Sequence, residues 1–182
     1  KLYAHDAAAV SRAIEYALRL KARVVEHDEK EAGERECLNY GHTLAHALET
    51  ASGFTMPHGR AVADGMRFAS RLSGMAAGQT SDMAGGAVRA VQAGRVTCAS
   101  QAGQAADFIN EQDALLDKLG LAFASRDANY GVDGLYEHML GDKKARGGVP
   151  RFVLVDKPGT WHVAPMERDV VTQALRGFYQ QS

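Results

Sequence analysis

The chain has 182 residues, 46% of them hydrophobic, which is enough for one well-packed core. Its 21 Lys and Arg against 22 Asp and Glu leave a net charge of -1, so no general field draws nucleic acid or an anionic membrane, and anion recognition must be local. No apolar run reaches the ~18 residues of a membrane span, the start Lys1-Leu2-Tyr3-Ala4-His5-Asp6 lacks a signal peptide's apolar core, and Cys37 and Cys98 form neither a CxxC pair nor a disulfide framework. A reducing cytoplasm is the expected location.

Asp6 is placed to cap a helix reaching about residue 27, in which Val10, Ile14, Ala17, Leu18 and Val25 recur at helical spacing and Lys21 falls on the same stripe. The charged residues 28–34, with Gly33, read as a connection before a second helix over 35–51 that Gly53 ends. Pro57 breaks the chain before a third helix over 59–72, and Gly74 and Gly78 punctuate the next stretch. Helices over 81–93 and 100–119 come next, the latter carrying Phe108, Leu115, Leu116 and Leu119 and closed by Gly120. A short helix over 132–140 precedes a positively charged loop, Gly141-Asp142-Lys143-Lys144-Ala145-Arg146-Gly147-Gly148. Arg151-Phe152-Val153-Leu154-Val155 and Thr160-Trp161-His162-Val163 flank Lys157-Pro158-Gly159 as a hairpin, and an amphipathic helix over 166–179 follows with Val171, Leu175 and Phe178 inward. The expected fold class is all-α, about six to eight helices with one small β-hairpin, in a single domain over residues 1–182. The opening into a helical pattern, with no initiating Met and no preceding strand, reads as an excised domain.

Arg35, Asn39, His42 and His46 lie at i, i+4, i+7 and i+11, so one helix would show all four along a stripe, with Cys37, Gly41, Leu44 and Leu48 on the apolar side. Imidazoles supply neutral nitrogen to a divalent metal and move protons near neutral pH, and beside Arg and Asn they suggest an anion-handling metal site. His58, after the Met56-Pro57 break, could return to that stripe. Histidines at i and i+4 also occur as plain surface pairs, and spacing does not separate the two readings. The HExxH protease helix is disfavoured because Thr43 stands where its general-base Glu belongs. Lys21 either snorkels to solvent or meets an anion, and Lys143 and Lys144 form either an exposed basic loop or a cationic lid.

The run Lys21-Ala22-Arg23-Val24-Val25, then Asp28-Glu29, Glu31, Gly33 and Arg35, then Leu38-Asn39-Tyr40-Gly41-His42-Thr43-Leu44-Ala45-His46-Ala47-Leu48-Glu49, resembles the 3-dehydroquinate synthase family. The likeness continues through Gly53-Phe54, His58-Gly59, Ala61-Val62-Ala63 and Gly65-Met66 to Asp142-Lys143-Lys144 and Arg151-Phe152-Val153-Leu154. It implies the carboxy-terminal metal- and substrate-binding domain of an enzyme that turns 3-deoxy-D-arabino-heptulosonate 7-phosphate into 3-dehydroquinate and phosphate, in the shikimate route to chorismate and the aromatic amino acids. The resemblance makes His42 and His58 metal ligands for zinc or cobalt. It gives His46 and Lys21 catalytic roles, and Lys21, Arg35, Asn39, His46 and one of Lys143 and Lys144 contacts to the phosphorylated sugar acid. NAD would be bound mainly by an N-terminal domain of the same enzyme, which has no counterpart here: no Gly-rich turn after a strand and no upstream acidic metal ligand occurs in this sequence. On its own the chain is expected to be inactive, and the enzyme is expected to be a homodimer with neither nucleic-acid nor membrane partners. Arg60, Asp64 and Ala45 depart from the family's usual residues, leaving a related sugar-phosphate cyclase such as 2-deoxy-scyllo-inosose synthase, or a non-catalytic metal-binding relic, as alternatives.

Overall fold

The structure is a computed structural model that describes residues 6–30, 33–82, 100–125, 130–141 and 148–180. In chain order these form α1 (Ala7–His27), a 3-10 helix (Glu34–Asn39), α2 (His42–Ala51), α3 (His58–Asp82), α4 (Ser100–Lys118), α5 (Val132–Leu140), β1 (Arg151–Lys157), β2 (Thr160–Pro165) and α6 (Arg168–Gln180). The all-α class with one antiparallel hairpin is as the sequence implies. Leu154 faces His162 in the hairpin register, and Gly159 takes the positive φ of 79° that the turn requires.

The central element is α3, which packs against α2, α4, β1 and α6. Its Ala61, Phe68 and Leu72 are fully buried, and Phe68 stands 5.9 Å from Phe152 and 5.5 Å from Phe178, ring centre to ring centre. Aromatic burial of this kind contributes about 2 kcal/mol or more per ring. Polar groups cross the helix pairs where the apolar contact ends. Arg67 donates to Asp117 at 2.6 Å and to the Leu121 carbonyl at 2.9 Å, and Arg71 pairs with Asp113, clamping α4 onto α3. Asp64, fully buried, accepts the backbone N–H groups of Ala124 and Ser125, and its burial raises the carboxyl's pKa against the lowering effect of those bonds.

Three sequence expectations are corrected. The helix over 35–51 is interrupted: a 3-10 turn ends at Asn39, and α2 starts only after Gly41, whose φ is 80°. The reason is a backbone contact between distant segments, since a Cβ on Gly65 would lie 1.9 Å from the Gly41 carbonyl oxygen. The punctuation at Gly74 and Gly78 does not hold either, because α3 runs to Asp82. Gly74 lies inside α3 facing α4, with Ile109 Cδ1 3.5 Å from where a Cβ would sit, an ordinary contact distance. The α1 stripe faces outward: Ile14 is 55% and Leu18 63% exposed, whereas Ala9 and Val24 are the buried positions. Asp6 does cap α1, accepting the Ala9 N–H at 2.9 Å, but the helix is held chiefly through the 3-10 segment, where Asp28 accepts the N–H groups of Gly33 and Arg35. Most of the helix expected over 81–93, and the charged loop carrying Lys143 and Lys144, lie outside the described residues.

Candidate metal centre

His42 and His46 are one turn apart on α2, and His58 is the first residue of α3. The chain reverses between the two helices at Gly53 (φ 60°) and Phe54 (φ 61°), where the Glu49 carbonyl accepts the Phe54 N–H at 2.7 Å and the Ser52 hydroxyl at 2.9 Å. Pro57 then supplies the carbonyl that accepts the Arg60 and Ala61 N–H groups of the first α3 turn. The result brings three imidazoles together: the His42 ring centre is 5.7 Å from His46 and 5.4 Å from His58.

Hydrogen bonds assign tautomers to two of these rings. His42 Nδ1 lies 3.2 Å from the Tyr40 carbonyl, which can only accept, so Nδ1 carries the proton and Nε2 is the lone-pair nitrogen of the neutral ring. His58 Nδ1 lies 3.0 Å from Glu49 Oε1, with the same consequence. Such N–H donation to a carbonyl or carboxylate is the usual companion of a metal-binding histidine. Among the described residues no group of three or more His, Cys, Asp or Glu side chains is arranged to hold a metal ion.

The other expected site residues are placed with less convergence. Arg35 is half-buried on the 3-10 helix, its Nη1 donating to the Glu29 carbonyl at 2.9 Å, and Asn39 ends that helix, so neither shares a helical stripe with His42. Lys21 is exposed on α1.

Three further positions support the cluster. Thr43 donates to the Arg151 carbonyl at 2.7 Å, tying the start of β1 to α2, and Glu49 continues the His42–His46 stripe at i+7. That spacing was readable in the sequence, but its pairing with His58 depended on the turn. Tyr40, between Asn39 and His42, has its hydroxyl 2.7 Å from Gln112 Oε1 and 3.2 Å from the Met66 carbonyl. Burial is the main cause that pushes Tyr40 up to about 12, and the same holds for Tyr179 beside Ser125. Both phenols keep their protons longer folded than unfolded, so their stabilisation is intact below pH 10.0 and lost as pH rises from there to about 12. Urea unfolding across that window is expected to lose about 1 kcal/mol per pH unit for each phenol, and Tyr40→Phe to remove its share of the slope. A flat profile in the unsubstituted chain would contradict the burial of both hydroxyls.

The family model described as 3-dehydroquinate synthase C-terminal matches residues 1–93. The 3-dehydroquinate synthase of Pelobacter propionicus is 40% identical over 149 residues, which are 81% of this chain and 34% of the relative. That of Mycobacterium leprae is 40% identical over 149 residues, 80% of this chain and 34% of the relative. The chain thus spans about a third of the length of these curated relatives. Among solved structures, 2-deoxy-scyllo-inosose synthase complexed with carbaglucose-6-phosphate, NAD+ and Co2+ is similar in fold, with a TM-score of 0.66 and 18% identity over 90% of this chain and 39% of that one.

Proposed function

The chain belongs to the 3-dehydroquinate synthase family, and on that premise we propose that it is the metal- and substrate-binding part of an enzyme converting 3-deoxy-D-arabino-heptulosonate 7-phosphate to 3-dehydroquinate and phosphate. The observation that carries this reading is the gathering of His42, His46 and His58 at the α2–α3 junction. Two imidazoles on one tetrahedral ion have ring centres about 5 Å apart, and His42 and His58 stand at 5.4 Å with both Nδ1 atoms turned to oxygen acceptors. These two are the proposed ligands for zinc or cobalt. When bound, the ion supplies Lewis acidity toward adjacent substrate oxygens and makes a neighbouring C–H more acidic.

The remaining residues act on the substrate itself. His46, one turn along the same helix face, exchanges a proton with the substrate or its phosphate through a ring nitrogen. Arg35 and Asn39 grip carboxylate and hydroxyl oxygens, and Lys21 with Lys143 or Lys144 neutralises the leaving phosphate. NAD and a third, acidic metal ligand come from an N-terminal domain of the same enzyme, which works as a homodimer in the cytoplasm; no helix among the described residues is long and apolar enough to cross a membrane. A related cyclase activity is the second reading, favoured by Arg60 and Asp64 where the family usually differs and by the inosose synthase fold.

Turnover by the intact enzyme, with the heptulosonate phosphate, NAD and zinc, decides between them: dehydroquinate formation supports the first, and cyclisation of a hexose phosphate alone supports the second. In that enzyme Arg35→Ala is expected to lower kcat/KM about 10- to 100-fold, the worth of a charged hydrogen bond, with metal content unchanged. Loss of metal instead would move Arg35 from substrate contact to support of the 3-10 turn.

A further inference from the structure

Glu49 is not one of the proposed ligands, yet it is the residue on which the α2–α3 reversal turns. Its main-chain oxygen accepts the Phe54 N–H and the Ser52 hydroxyl, and its side chain reaches forward nine residues to His58. The carboxylate is largely shielded, with 17% of the side chain exposed, whereas the His58 side chain is 57% exposed. A free His58 ring on that surface would sample several rotamers and both neutral tautomers. One acceptor-only oxygen 3.0 Å from Nδ1 selects a single state, with the proton on Nδ1 and the lone pair on Nε2.

Resting on the metal-site reading, we infer that Glu49 is a positioning residue: its carboxylate fixes the rotamer and tautomer in which His58 offers Nε2 to a divalent cation. The two halves of the α2 stripe then divide the work. His42 is oriented from its own backbone by the Tyr40 carbonyl, while His58, on another helix and more exposed, is oriented by a side chain from α2. A carboxylate beside the first turn of α3 also meets the positive end of that helix, which would stabilise the fold without touching the metal. The two roles separate in experiment, because only the first alters the His58 ring.

The test uses the intact enzyme with zinc alone, titrated against a chromophoric chelator, and nitrogen NMR of the histidine rings in its metal-free form. The unsubstituted chain is expected to show His58 protonated on Nδ1. Glu49→Ala is expected to redistribute that proton and weaken zinc binding about 10- to 100-fold, while Glu49→Gln, which keeps an acceptor oxygen, loses less. Glu49→Ala combined with His58→Ala should bind zinc no more weakly than His58→Ala alone, since Glu49 acts through that ring. If Glu49→Ala unfolds, the ring state and affinity of Glu49→Gln decide in its place. Zinc affinity unchanged in both Glu49 variants but lowered by His58→Ala would overturn the inference and leave the metal site standing. Affinity untouched by His58→Ala would overturn the metal site itself.

Discussion

Gly65→Ala is expected to cost at least about 3 kcal/mol of unfolding free energy and to take the candidate site with it. A Cβ there would lie 1.9 Å from the Gly41 carbonyl oxygen, 2.8 Å from its carbonyl carbon and 3.1 Å from its Cα. All three are main-chain atoms, so no side chain can swing away; α2 and α3 must separate. The contact is tight from the other side too, where a Cβ on Gly41 would meet the Met66 nitrogen at 2.7 Å and the Val62 oxygen at 2.9 Å. Separating the helices opens the core cluster that Leu44, Leu48 and Phe68 share, all buried. It also draws His42, the first residue of α2, away from His58. The control is Gly59→Ala: nothing lies within 4 Å of that Cβ, and helix propensity makes the change neutral to slightly stabilising. Urea midpoints of the two variants check this, with zinc affinity as a second reading. A Gly65→Ala chain with an unchanged midpoint would mean the helices do not cross this closely.

That crossing also explains which parts of the fold could be read from residues in order. The short helix expected over 132–140 is found as Val132–Leu140, that over 100–119 as Ser100–Lys118, and the hairpin around Pro158 closes as expected. Each is set by its own periodicity and its own turn residues. The interruption at Tyr40–Gly41 is different in kind, because its cause sits 24 positions away at Gly65. Periodicity across 35–51 is continuous, and nothing local forbids a helix there except the cost of one glycine. The reverse error occurs at Gly74: a glycine that locally reads as a stop lies inside α3, which continues through it to Asp82.

The candidate site was legible to the same degree. His42 and His46 on one face follow from spacing, and the return of His58 follows from the Pro57 break. The Arg35 and Asn39 part of the stripe failed with the helix that was to carry it. The outward apolar stripe of α1 was equally unreadable, because periodicity identifies a face but not what lies against it. Ile14 and Leu18 have the spacing of core residues and are exposed, while the small Ala9 is buried. Glu49 was hidden for the opposite reason: a carboxylate at i+7 from a histidine is commonplace on a helix, and only the reversal that brings His58 alongside gives it a role.

In the intact enzyme, His42→Ala and His58→Ala are each expected to strip the metal and lower turnover by about a thousandfold or more, while His46→Ala keeps the metal and lowers turnover about 100- to 10,000-fold. Ring spacing alone does not choose between the pairs, since His42 is 5.7 Å from His46 and 5.4 Å from His58, and both distances suit two ligands of one ion. The choice of His42 and His58 follows the family resemblance, and the alanine variants test it. His42 and His58 each give the Nδ1 proton to an acceptor, Tyr40 O and Glu49 Oε1, which leaves Nε2 as the lone-pair nitrogen a metal would take. Metal content by atomic emission, measured beside kcat for the three alanine variants, separates these roles. Metal lost from His46→Ala but retained by His58→Ala would make the ligand pair the one on a single helix, and His58 would then pass to the substrate.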